Sequence, residues 1–72
     1  MDKLILVADR QSERFEIVDD GGGFTVFRYV DGANTHDYFQ HNLAMAQLCA
    51  ADHWGVTESL WRVPHPNELP LG

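Results

Sequence analysis

From Asn42 to Gly55 the chain reads Asn-Leu-Ala-Met-Ala-Gln-Leu-Cys-Ala-Ala-Asp-His-Trp-Gly, with no glycine or proline between its two ends. That stretch predicts one α-helix over 43–54. Asn42 suits the N-cap, where its side-chain oxygen accepts a hydrogen bond from an otherwise unpaired N–H of the first turn. Leu43, Ala46, Ala50 and Trp54 recur at spacings of three and four, with Met45 and Leu48 at the flanks, so one stripe is apolar and seeks cover. Gly55 falls where a helix ends in the left-handed conformation, and Val56 can then touch the last turn. Thr57 can cap a further short turn over 58–61. A start at Asp37, taking Tyr38 and Phe39 into the helix, is the alternative boundary.

Upstream, helical spacing gives way to strand-like runs. Lys3 to Ala8 is apolar, Arg14 to Val18 alternates charge with Phe15 and Ile17, and Phe24 to Val30 is aromatic and β-branched. Asp19-Asp20-Gly21-Gly22-Gly23 supplies a hairpin loop, Asp9 to Glu13 a first turn, and Asp31-Gly32 a third turn signal. Residues 34–39 are strand or loop. The expected fold is α+β: a three- or four-stranded antiparallel β-meander followed by one α-helix packed on one face, then a short helical turn. Residues 1–62 form this single domain, and 63–72 are a proline-containing tail, extended or disordered.

One helix covers one sheet face, yet strand one carries Leu4 and Leu6 on one side and Ile5 and Val7 on the other. Strand three similarly opposes Phe24 and Val26 to Phe27 and Tyr29. A solvated antiparallel sheet alternates more cleanly. A chain of about 60 residues also buries only roughly 60% of the surface it exposes unfolded, so stability is marginal without further cover. Two covers are available: the tail, with Pro64, Pro66, Leu69, Pro70 and Leu71, or a second copy of the chain in a homodimer. The homodimer is the expectation. The helix adds to it, because between Asn42 and Gly55 only Asp52 is formally charged, which suggests cover on more than one side.

Charge and cysteine content narrow the function classes. Eleven acids against five Lys and Arg give a formal charge of −6, with no basic cluster, which disfavours a nucleic-acid partner. No apolar run is long enough to span a bilayer and no leader pattern opens the chain, so the expected location is the cytoplasm, with no membrane partner. Cys49 is the lone cysteine, so no internal disulfide forms, which suits a reducing compartment.

Each residue with reactive chemistry also has a structural reading. Cys49 and His53 share a helix face, with His41 two turns earlier, and imidazole and thiolate are good zinc ligands. The spacing lacks a paired short motif, and further ligands would have to come from His36, His65 or a carboxylate, so no metal ligand is assigned. Cys49 lies mid-helix among apolar and acidic neighbours, which describes an inert thiol and not a nucleophile. Asp37 and His41 lack a third group to orient the histidine as a base. The Asp-Asp-Gly-Gly-Gly run has neither the Lys-Ser/Thr ending of a phosphate loop nor the spaced carboxylates of a calcium loop. Trp54 and Trp61 are assigned to closing the core in preference to recognition; Trp61-Arg62 permits a cation–π contact. No catalytic residue, cofactor or metal is assigned.

An apolar first strand, a short meander, a helix ending in Gly55-Val56 and a closing Trp61-Arg62 resemble small bacterial α+β proteins that carry no assigned activity. The resemblance spans most of 3–62 and rests on structural motifs, so it implies a bacterial origin and a compact domain and transfers no site residue. The function expected from these residues is a protein–protein interaction module. The alternative is a small enzyme or ligand-binding unit whose site, with His36, Asp37 and His41, forms at a homodimer interface.

Overall fold

Short hairpins set the topology. The computed structural model describes residues 2–68, and in it strands β1 (Lys3–Arg10), β2 (Glu13–Asp19), β3 (Phe24–Val30) and β4 (Ala33–Gln40) follow in that order. They form one antiparallel sheet in which each strand pairs with its sequence neighbour. At the β3–β4 turn both central residues, Asp31 and Gly32, have positive φ, 52° and 84°, the twist that matches two right-twisted strands. At the β2–β3 turn Asp19 Oδ1 accepts the Gly21 N–H at 2.9 Å and Asp20 Oδ1 accepts the Gly22 N–H at 3.0 Å, the aspartates bonding two residues onward as such turns require.

The sheet is longer than the apolar runs alone indicate. Asp9, Arg10 and Glu13 belong to strands and not to the first turn, which narrows to Gln11 and Ser12. Arg10 lies opposite Glu13 and the two are 2.9 Å apart, so a cross-strand ion pair holds a segment that looks like polar loop. Residues 34–39 are all strand. Tyr38 pairs with Val26 and Phe39 with Thr25, which rules out the helix start at Asp37.

Helix α1 (Leu43–Trp54) begins as its sequence indicates, with the Met45 N–H donating to Asn42 Oδ1 at 2.9 Å. It ends at Gly55, φ 68°, whose N–H bonds Ala51 O at 2.9 Å while the Val56 N–H reaches Ala50 O at 3.3 Å. Those two bonds close the last carbonyls of the helix. Ala46 and Ala50 are fully buried against Ala8, Phe15, Ile17, Val26 and Val56, with Leu43 and Trp54 at the margin. Met45 and Leu48 remain 47% and 57% exposed, so within one chain the outer flank of the helix is open among the described residues.

The register of β1 corrects one reading of its faces. Leu4 opposes Val18 and Leu6 opposes Ile17, so Ile5 is an extra residue in the ladder. A bulge reverses the alternation beyond it. Leu6 and Ala8 therefore join the helix-side core, whereas Leu4 and Val7 share the second face and do not oppose one another. Val7 is fully buried there and Leu4 is 8% exposed. In β3 the expected division holds, with Phe24 and Val26 on the helix side and Phe27 and Tyr29 beside Leu4 and Val18 on the other.

Part of the second-face cover comes from the returning chain. Two 3-10 turns, Glu58–Leu60 and Pro66–Glu68, flank a segment that pairs with the free edge of β1. The Val7 N–H donates to Arg62 O and the Arg62 N–H donates to Val7 O, each at 2.9 Å. Pro64 beyond them is buried. Leu69, Pro70 and Leu71 of the tail lie outside the described residues.

A close approach at Gly23 tests this packing. A Cβ there would overlap the Phe39 ring and come within 2.7 Å of the Gln40 carbonyl oxygen, whereas one at Gly22 meets only the Asp20 carboxylate at 3.9 Å. Gly23→Ala should lose about 1–3 kcal/mol of stability, and Gly22→Ala less than about 0.5 kcal/mol, in urea denaturation followed by circular dichroism. Equal midpoints for the two variants would contradict the β3–β4 register.

Candidate functional site

The residues with reactive chemistry do not converge. His36 and Asp37 are adjacent in β4, and strand alternation sends them to opposite faces. His36 stands opposite Arg28 on the helix side and its ring lies 5.9 Å from Trp54, while Asp37 stands opposite Phe27 on the second face. His41, past the strand, meets the Phe39 ring edge-on at 5.4 Å. The three therefore form no common site within one chain.

Cys49 is buried, and burial, with the nearby Asp52 charge second, pushes its thiol above the ordinary value. A raised thiol holds little thiolate near neutral pH and is a poor nucleophile and ligand. His53 lines the same shallow hollow as Cys49, but its ring is stacked on Tyr38, 4.7 Å between centroids and 6° between planes. Among the described residues no three His, Cys, Asp or Glu side chains are grouped to hold a metal ion, and no helix is long and apolar enough to cross a membrane.

Trp54 closes the core. It packs on Phe15 at 5.6 Å and on Tyr38 at 5.6 Å, with His53 at 5.8 Å beside it. Trp61 packs against the same core, and its Nε1–H is buried without an acceptor among the described residues. An unpaired buried donor of this kind costs about 1–3 kcal/mol.

Two ion-pair groups occupy the arginines. On the helix side Glu13 takes Arg28 at 2.8 Å and Arg10 at 2.9 Å, and Arg10 also lies 5.4 Å over the Phe15 ring. On the second face Arg62 bonds Glu68 at 2.7 Å and Asp9 at 2.8 Å, and Arg14 bonds Glu16 at 2.8 Å and Glu68 at 2.9 Å. Arg62 is thus engaged by carboxylates. The hydrogen bond from Arg62 holds the Glu68 carboxyl far below the usual carboxylate range, helped by the His65 N–H, and Arg28 lowers Glu13 in the same way.

Two hollows remain. One, of about 330 Å³, lies on the second face among Leu4, Val18, Phe27 and Tyr29, with Glu16 and Glu68 at its rim. The other, of about 350 Å³, is a groove between α1 and the 58–61 turn, lined by Leu48, Val56 and Trp61 with Glu58 at its edge. Compared with protein families, curated proteins and solved structures, the chain matches none.

The Glu68 anchor makes a pH prediction with a defined sign. Its folded pKa lies below the ordinary 4.5, so its stabilising contribution is complete above that value and is lost as pH falls through the folded pKa. The melting temperature of the wild-type chain should fall from about pH 4.5 downward, and Glu68→Gln should start lower at neutral pH and fall less steeply. Parallel pH profiles for the two proteins would show that the Arg62–Glu68 contact does not form.

Proposed function

We propose that this chain is a protein-interaction module, a small acidic protein of the bacterial cytoplasm that acts as a homodimer and binds a basic protein. The distribution of charge carries the reading. Every arginine is held by Asp9, Glu13, Glu16 or Glu68, whereas Asp19, Asp20, Asp31, Asp37, Asp52 and Glu58 have no cationic partner within 4.0 Å among the described residues. The outward field is therefore negative over the hairpin turns and the helix side. Such a field speeds encounter with a basic surface and weakens as salt screens it. The lone buried cysteine suits a reducing cytoplasm.

The second sheet face suits a second copy. Phe27, Tyr29 and Val18 are only half-buried there around the 330 Å³ hollow, and beside it Arg14 and Arg62 are shared among the carboxylates of Asp9, Glu16 and Glu68. Two such faces can meet about a two-fold axis through their apolar centres.

Light scattering on a size-exclusion column should return twice the 8.2 kDa chain mass at low and high salt, and Phe27→Asp should return one chain mass with an unchanged circular dichroism spectrum. A wild-type monomer at every concentration would contradict the dimer. Tagged chain recovered from bacterial extract should hold one basic protein in stoichiometric amount at low salt and release it at high salt. Recovery indifferent to salt, or of no protein, would contradict the interaction reading.

A further inference from the structure

The geometry points to the groove between α1 and the 58–61 turn as the docking site for a basic amphipathic segment of that partner, with an apolar side chain seated beside Leu48 and Lys or Arg side chains reaching Asp52 and Glu58. It rests on the reading of the chain as an acidic interaction module, and it places the contact on the side of the molecule away from the second sheet face.

Three observations support it. Ala44 and Ala51 line the groove, and residues without bulk allow another backbone to come close. Leu48 stands between this groove and the shallower hollow that holds Met45 and Asp52, so the two large apolar side chains that the helix leaves exposed, at 57% and 47%, belong to one continuous patch. Glu58 at one edge and Asp52 at the other are the only formal charges that line the two hollows.

Charge then selects the occupant. A second copy of this chain would present the same Asp52 and Glu58 to the first. The one Lys or Arg outside an ion pair among the described residues, Lys3, lines a different hollow beside Val63 and Pro64. The complementary surface is apolar at its centre and cationic at both ends, the pattern of an amphipathic helix laid into a groove.

The full chain, labelled with 15N, is titrated with a synthetic peptide carrying leucines at i, i+3 and i+7 and lysines on the opposite face. A peptide of the same composition with scrambled order is the control. Saturable shifts are expected at Leu48, Ala51, Glu58 and the Trp61 Nε1–H, weakening about tenfold between low and high salt. Leu48→Asp and Glu58→Lys, both exposed and checked for an unchanged fold by circular dichroism, should each weaken binding by roughly fivefold or more. Shifts confined to Phe27 and Tyr29, equal binding of the scrambled peptide, or no binding would overturn the groove assignment. If a basic partner is still recovered at low salt, only the groove fails; if none is recovered, the interaction reading fails with it.

Discussion

The backbone pairing of Val7 with Arg62 is the constraint on which the rest of the domain depends. Because Ile5 is an extra residue in β1, that strand presents Leu6 and Ala8 to the helix and Leu4 and Val7 to the opposite face. A single helix cannot cover both. The chain resolves the conflict by turning back after Gly55, burying Val56 and packing Trp61 against the helix-side core, and laying residues 62–64 along the free edge of β1. Unpaired strand edges invite association with other chains, so this return also protects the edge. Arg62 completes it, its backbone bonding Val7 and its guanidinium bonding Asp9 and Glu68.

The ion pairs of the second face therefore act as cover as much as charge. Glu68 receives both Arg14 from β2 and Arg62 from the returning segment, which joins the last described turn to the middle of the sheet. Individually exposed ion pairs contribute little. Shared carboxylates in a network lose less side-chain freedom per contact, and here they hold Pro64 and the Pro66–Glu68 turn close to an apolar strand. What they leave uncovered is the β3 half of the face, around Phe27 and Tyr29.

Much of the fold was legible because local chemistry and global packing agree in the helix. Asn42, the alanines at 46 and 50, and Gly55 each perform the role their residue type favours. The strands were less legible. Arg10 and Glu13 read as turn residues because nothing local shows that they lie opposite one another, and the bulge at Ile5 leaves no mark in an unbroken apolar run. That run misplaced Leu6 relative to Leu4. Candidate chemistry was legible mainly by its weakness: alternation in β4 separates His36 from Asp37, and burial disables Cys49. The groove beside Leu48 is not legible in the sequence, since an apolar helix flank reads as covered until the packing shows which flank is open. The signal available was the pairing of Leu48 with Met45 away from the Leu43, Ala46, Ala50 and Trp54 stripe.

Amide hydrogen exchange at Val7 and Arg62 tests the central claim most directly. Both N–H groups are ladder donors in this account, so they should exchange as slowly as Ile17 and Val26 in the middle of the sheet, through opening of the whole domain. Exchange at Arg62 as fast as at the exposed turn residue Gly22, with Val7 unprotected beside it, would show that the β1 edge is open and that the returning segment does not close the fold.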